Sequence, residues 1–131
     1  MDYVFYMTFF PHLVAGPIVR AKDFIYQIDF PIKIDKEVFK ESYLRIILGL
    51  GKKLLIADYL AKYVDIIHSD PKSYSGLENL ISMYVYSFQI YFDFSGYSDI
   101  ALGTARLFGI DLLRNFAFPY FSRDIAEFWR R

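Results

Sequence analysis

Two uncharged stretches set the terms on which this chain can fold. Tyr3 to Val19 runs 17 residues without a charge and Asn79 to Phe92 runs 14. A simple membrane-crossing helix needs roughly 18–20 apolar residues, so neither stretch makes one, and the first is punctuated by Pro11, His12, Gly16 and Pro17. The chain is nevertheless rich in apolar surface. Hydrophobic residues make up 55% and aromatics 21%, with 14 Phe and 12 Tyr, against about 45–50% apolar content in an ordinary soluble domain. That excess calls for a lipid or a partner surface. Broken and re-entrant helices fit both facts, because short interrupted segments are allowed at membrane depth where other protein or a polar cavity satisfies their backbone.

Other classes fall away on composition. A length of 131 residues suits one domain, and a chain this apolar buries enough surface to order itself, which excludes intrinsic disorder. The 15 basic and 15 acidic residues cancel, and only Arg20 to Lys53 is Lys/Arg-rich, so the electrostatic footprint of a nucleic-acid binder is missing. With no Cys there is no disulfide, no thiol nucleophile and no thiolate metal site. The start is acidic and the first cation is Arg20, which is not the pattern of a cleavable secretory leader. Lys72 and Arg106 flank a Lys/Arg-free interval on both sides, so charge leaves the orientation in a membrane open.

The pattern predicts helices throughout. Met1 to Phe30 reads as an apolar helix broken near Pro11 and again at Gly16-Pro17, since proline removes a donor and crowds the preceding turn. Asp35 is a plausible N-cap for a helix to about His68. Along it Tyr43, Ile46, Leu50, Leu54, Ala57, Ala61 and Val64 recur at three- and four-residue spacing, with Lys36, Lys40, Lys52 and Lys62 on a wetter side. Gly49 and Gly51 would kink it or admit a neighbouring helix. Ser75-x-x-Glu78 matches a capping box, opening a helix that bends at Gly96 and resumes from Ile100 to Phe108. Ala101 and Ala105 form a small-residue pair for close helix contact, Gly109 is a natural C-cap, Pro119 breaks an irregular stretch, and Ser122 caps a last helix to Trp129. No alternating strand pattern stands out, so the expected fold class is all-α, with several broken and amphipathic helices.

Asp93 and Asp99 bracket Ser95, Tyr97 and Ser98 inside the most apolar part of the chain, where a carboxylate is costly unless paired or solvated. On a helix Gln89, Asp93 and Tyr97 share one face while Ser95 and Asp99 share another, so the two carboxylates do not converge as an acid/base pair. They read either as a hydrogen-bonded junction at a helix break or as the lining of a polar cavity. His12 has no second ligand or dyad partner at usable spacing and reads as structural. His68 closes a helix, where a cation suits the dipole. Gly49-Leu-Gly51-Lys52-Lys53 lacks the strand and the Ser/Thr of a phosphate loop, which leaves the lysines to snorkel toward an interface or acidic headgroups, or to sit on a solvated face. Arg123, Arg130, Arg131 and Trp129 make an aromatic, basic end suited to a headgroup boundary, an anionic substrate or plain surface.

Several segments together resemble a known family. Phe9-Phe-Pro-His-Leu-Val-Ala-Gly-Pro-Ile18, Gly49-Leu-Gly-Lys-Lys53 with Ile56-Ala-Asp58, Gln89-Ile-Tyr-Phe-Asp-Phe-Ser-Gly-Tyr-Ser-Asp99, Asn115-Phe116, Pro119-Tyr120 and Asp124-Ile-Ala-Glu-Phe-Trp-Arg-Arg131 are similar, in order, to the membrane-bound O-acyltransferase family. Within it they are most like the alginate O-acetyltransferase and D-alanyl-lipoteichoic acid transfer branch. The resemblance implies residues 1–131 as the N-terminal part of a catalytic domain, multi-pass in the bacterial cytoplasmic membrane. It implies an acyl group, acetyl or D-alanyl, moved from a thioester donor (acyl carrier protein or acyl-CoA) to a hydroxyl of a cell-envelope polysaccharide reached through a partner protein. Membrane lipid is a further partner, and no metal or tightly bound cofactor is needed. The family's two characteristic histidines fall beyond Arg131, so this segment alone would be inactive, and His12 is not given a catalytic role. Gln89, Asp93, Ser95, Tyr97, Ser98 and Asp99 would then line or scaffold the reaction tunnel, while Pro11, His12, Gly16, Pro17, Lys52, Lys53, Trp129 and Arg130 carry the family motifs structurally. Two rival readings are a non-catalytic helical membrane or partner-docking module that uses the Phe/Tyr face, and a transporter-like bundle binding an ion at Asp93 and Asp99.

Overall fold

Asp35 ends the polar connector by capping a helix: its carboxylate accepts from the Val38 amide at 2.8 Å, satisfying one of the orphan donors of the first turn. A computed structural model of the chain describes residues 2–13, 19–29 and 35–131, with the His12 side chain left out. The expectations for Gly16 and Pro17, and for the His12 ring, lie outside the described residues. Among the described residues the fold is all-helical: α1 (Asp2–Thr8), a 3-10 turn Phe10–His12, α2 (Ala21–Ile28), α3 (Lys36–Gly51), a π-helical turn Lys52–Ala57, α4 (Asp58–Ser69), a second 3-10 turn Pro71–Ser73, α5 (Gly76–Leu107), a third 3-10 turn Pro119–Phe121 and α6 (Ile125–Arg130). No helix among them is long and apolar enough to cross a membrane.

The capping box forms with both arms, Ser75 N to Glu78 Oε2 at 2.8 Å and Glu78 N to Ser75 Oγ at 3.3 Å. It starts a 32-residue helix that does not bend at Gly96 as expected but continues to Leu107. Gly109, at φ 74°, then closes the helix: its amide donates to Arg106 and the Ile110 amide to Ala105, both at 3.0 Å, the paired bonds of a Schellman end. Ile110 and Ala105 join Phe9, Val19 and Phe24 in a small core that ties α1 and α2 to the C-terminal end of α5. Burying a phenylalanine as completely as Phe24 contributes about 1.5–3 kcal/mol. Gln27 and Asp111 clamp the same junction through reciprocal amide bonds of 3.2 and 2.8 Å. The last helix is capped by Asp124, whose carboxylate accepts from Glu127 N at 2.7 Å, and not by Ser122. A carboxylate two residues further along reaches the free amides, and the turn at Pro119–Phe121 already uses the Ser122 amide.

Gly96 serves close approach. A Cβ on Gly49 would lie 2.6 Å from the Gly96 carbonyl oxygen, and one on Gly96 would lie 2.8 Å from the Gly49 carbonyl oxygen. Seven residues before and after, a Cβ on Gly103 would meet Ser42 O and Ile46 Cγ1 at 2.7 Å, so α3 and α5 run antiparallel with a seven-residue contact repeat. The buried positions along this seam are Ser42, Gly49, Ala57 and Val64 on one side and Ser82, Gly96 and Gly103 on the other. On α5 the spacing is seven or its double, Gln89 being the half-buried position between Ser82 and Gly96, and on the other side it is seven except from Gly49 to Ala57, where it is eight. The extra residue is absorbed by the π-helical turn, whose wider coil holds one more residue than an α turn.

This seam corrects part of the amphipathic reading of residues 36–68: Ala57 and Val64 of the expected stripe are buried and Ile46 and Ala61 half-buried, but three of its large residues are not. Tyr43, Leu50 and Leu54 of the expected buried stripe are exposed, and Lys52 of the expected wet side turns toward α5. Ser, Gly and Ala fill the contact while Leu44, Leu48, Leu55 and Tyr84 face out. Small residues let backbones meet, the packing used where burial of large side chains does not drive association.

Candidate functional site

The seam carries charges where the helices come closest. Gly96 sits at the crossing with Asp93 three residues before it and Asp99 three after, and the π turn begins with two lysines that reach different carboxylates of α5. Lys52 Nζ donates to Asp99 Oδ2 at 2.5 Å and to Ser95 Oγ at 3.0 Å. Lys53 Nζ lies 2.6 Å from Asp93 and 2.9 Å from Asp58. Arg45 Nε approaches Asp99 Oδ1 at 3.7 Å. Lys52 thus turns into the seam and neutralises a carboxylate that would otherwise be costly there, while Lys53 pairs with its carboxylates on an exposed flank. The two carboxylates point to different cations, and among the described residues no His, Cys, Asp and Glu group is arranged to hold a metal ion.

Below the Lys52–Asp99 pair lies a polar cavity of about 130 Å³. Ser95, Ser98 and Asp99 of α5 form its floor, and the irregular stretch after Gly109 closes it: Asn115 Nδ2 donates to Ser98 Oγ at 2.9 Å. Phe118 holds this stretch in place in the left-handed region, at φ 54°, with Arg114 5.7 Å above its ring. A bulky residue there costs about 1–3 kcal/mol, which the following Pro119 turn and the aromatic packing must offset. Asn115, Phe116 and Tyr91 are shared with a second, largely aromatic cavity of about 400 Å³ that also takes in Tyr120, Phe128 and Trp129. Tyr91, Phe94 and Phe116 meet there with ring centroids 5.0 and 5.8 Å apart, and the Tyr120 hydroxyl donates to Ser87 O at 2.7 Å. Arg131 lines the same cavity and pairs at 2.7 Å with Glu127, whose carboxyl is held below the usual range by the Arg123 amide and the Arg131 guanidinium.

The structure therefore brings Asp99, Ser95, Ser98 and Lys52 together, with Asp93 and Lys53 beside them on the other flank of the crossing. Tyr97 does not join them. It projects from the opposite side of α5, its hydroxyl donating to Leu13 O at 3.0 Å, beside buried Pro11 in a small apolar cavity. Gln89 lies one repeat before Gly96, with its Oε1 buried and unpartnered. Trp129 is 80% exposed, and Arg130 folds back on Ala126 O. Arg45, Arg114 and Asn115 were not singled out as site residues. Arg45 had a usable signal, since Ser42, Arg45, Gly49 and Lys52 share one helical face; Asn115 had only its place in the Asn115-Phe116 family segment, because irregular backbone has no periodicity to read.

The membrane-bound O-acyltransferase family model matches residues 1–131. A probable alginate O-acetylase of Pseudomonas aeruginosa is 39% identical over the whole of this chain, which covers 25% of that protein. A peptidoglycan O-acetyltransferase of Helicobacter pylori is also 39% identical, again with 100% of this chain and 25% of the relative covered. A teichoic acid D-alanyltransferase of Streptococcus thermophilus is 33% identical over 99% of this chain and 33% of its own length. The chain thus spans a quarter to a third of these relatives.

Proposed function

Because this chain belongs to the membrane-bound O-acyltransferase family, we propose that it is one section of an enzyme that transfers an acyl group, acetyl or D-alanyl, from a thioester donor to a hydroxyl of a cell-envelope polysaccharide. The match across all 131 residues carries this reading. The donor is an acyl carrier protein or acyl-CoA, the acceptor chain is presented by a partner protein, and the setting is the bacterial cytoplasmic membrane, crossed several times. The outward Leu, Tyr and Phe face and the small-residue seam are the surface such a setting requires. On this reading a histidine outside residues 1–131 acts as general base: it takes the acceptor hydroxyl's proton as the oxygen attacks the acyl carbonyl and the thiolate leaves. The section is inactive without it.

The paired seam is the part of the reaction tunnel that this section supplies. Lys52 and Asp99 cancel each other's charge, so the wall they form with Ser95, Ser98 and Asn115 offers hydrogen bonds, with Arg114 as the remaining cation of the lining. Asp93 and Lys53 brace the same crossing. The test is Asp93→Leu and Asp99→Leu in the complete enzyme, scored as base-labile acyl groups on the polymer per molecule of membrane-inserted protein. Transfer should drop more than protein level; equal loss of both makes these residues scaffold only. Sequencing past the Arg131 codon tests the rest, and a frame without a histidine-bearing helical region refutes it.

A further inference from the structure

On the other side of the Lys52–Asp99 pair lies a larger cavity, about 430 Å³, that the proposed reaction does not use. Its polar wall holds Glu41, Arg45, Lys52, Asp99 and Arg106. Three cations there face two carboxylates, and the carboxylates are committed: Asp99 to Lys52, and Glu41 to Arg106 at 2.8 Å. Arg45 has only the 3.7 Å approach to Asp99, so among the described residues its guanidinium makes no hydrogen bond. Ser42 stands on the same wall, 1% exposed, with its hydroxyl unpartnered. A buried hydroxyl without a partner costs about 1–3 kcal/mol. The unmet groups here can donate, and the wall's open acceptor oxygens, Asp99 Oδ1 and Glu41 Oε1, are not within hydrogen-bond distance of either one, the nearest approach being Arg45 Nε to Asp99 Oδ1 at 3.7 Å.

What satisfies a surplus of donors and one excess positive charge is an oxyanion, and a guanidinium with a free fork suits a phosphate. The rest of the wall says what the oxyanion is attached to. Leu44 and Leu48 form it one and two turns along α3, 48% and 64% exposed, and the volume exceeds that of a bare phosphate. We propose that this cavity binds a phosphate-type oxyanion carried by an amphiphile, an anionic phospholipid headgroup with its acyl chains along Leu44 and Leu48. Arg45 is the principal ligand and Ser42 a supporting donor. This site is independent of the acyl-transfer reading, and its test measures no activity.

The experiment is native mass spectrometry of the full chain in dodecyl maltoside, with dioleoyl phosphatidylglycerol or dioleoyl phosphatidylcholine at equal mole fraction. Phosphatidylglycerol should be retained in preference, and Arg45→Gln should weaken its retention about tenfold, as loss of one charge-assisted contact implies. Lys62→Gln, which removes an exposed cation of α4, should change nothing. Equal retention of the two lipids, or equal loss in both variants, overturns the proposal. Inorganic phosphate that displaces the lipid at matching concentration overturns the amphiphile and leaves the oxyanion. Should Arg45→Gln fail to fold, Ser42→Ala decides: weaker retention with an unfolding midpoint no lower than the parent's supports the site, and unchanged retention refutes it.

Discussion

Alanine at Gly49 and at Gly51 should move stability in opposite directions, although the two positions are two residues apart on one helix. Helix propensity favours both substitutions by about 1 kcal/mol. At Gly51 nothing lies within 4 Å of the new Cβ, so that gain stands alone. At Gly49 the Cβ would sit 2.6 Å from Gly96 O and 2.8 Å from Ile100 Cγ1, where ordinary contact begins at 3.4 Å. The leucine-like escape of a flexible side chain is closed, because the nearest atom is backbone and α5 must move by most of the missing 0.8 Å. Overpacking of this kind costs about 1–3 kcal/mol, and the involvement of main chain places it near the upper end. Gly49→Ala should therefore lose about 1–2 kcal/mol net while Gly51→Ala gains up to about 1, a separation on the order of 10 °C in midpoint for a chain of this size. Thermal unfolding of the full chain in dodecyl maltoside, followed by far-ultraviolet circular dichroism, reads both. Midpoints that move together would refute the close crossing at Gly49 and Gly96.

Three further outcomes follow from the seam and its caps. A double-mutant cycle on Lys52 and Asp99, whose side chains are 31% and 23% exposed, should give a coupling of about 1–2 kcal/mol, against less than about 1 for the more exposed Lys53 and Asp93; the reverse order would remove Lys52 from the seam's centre. Deleting Leu55, 77% exposed within the π turn, should restore the seven-residue spacing and leave the helical signal and midpoint nearly intact, whereas deleting Ile47 from α3 should unfold the chain, because it breaks the register at Gly49. The Glu78 carboxyl is held below its usual value by the Ser75 hydroxyl and amide. A depressed carboxyl contributes stability above its unfolded pKa that is lost as pH falls through its folded one, so the deficit of Glu78→Gln at about pH 7 should shrink toward about pH 3; a deficit independent of pH would mean the charge plays no part.

Local chemistry was legible in the residues. Asp35, the Ser75–Glu78 box, Gly109 and the break at Pro11 are set by side chains that satisfy or remove neighbouring backbone groups within one turn, and such signals survive any tertiary context. The helical class and the family resemblance were legible for the same reason, being patterns along the chain. The Asp124 cap was missed because two candidates lay two residues apart and the Pro119 turn chose between them. The candidate site was half legible: the cost of Asp93 and Asp99 in apolar surroundings marked them as needing a partner or solvent, and the lysines that pair them were in view, but nothing in either segment said that the two would meet.

That meeting belongs to the tertiary structure. Apolar periodicity predicted that the Tyr43, Leu50 and Leu54 face would be buried, since in water the largest apolar side chains drive association. Here the helices associate through Ser42, Gly49, Gly96 and Gly103, because backbones that touch exclude large side chains from between them. One residue held in the π turn then keeps Ala57 and Val64 on the seam and aims Lys52 and Lys53 across it. The sequence by itself determined which residues had to find a partner; only the crossing of two distant helices, fixed by the contact of glycine against glycine, decided who the partners were.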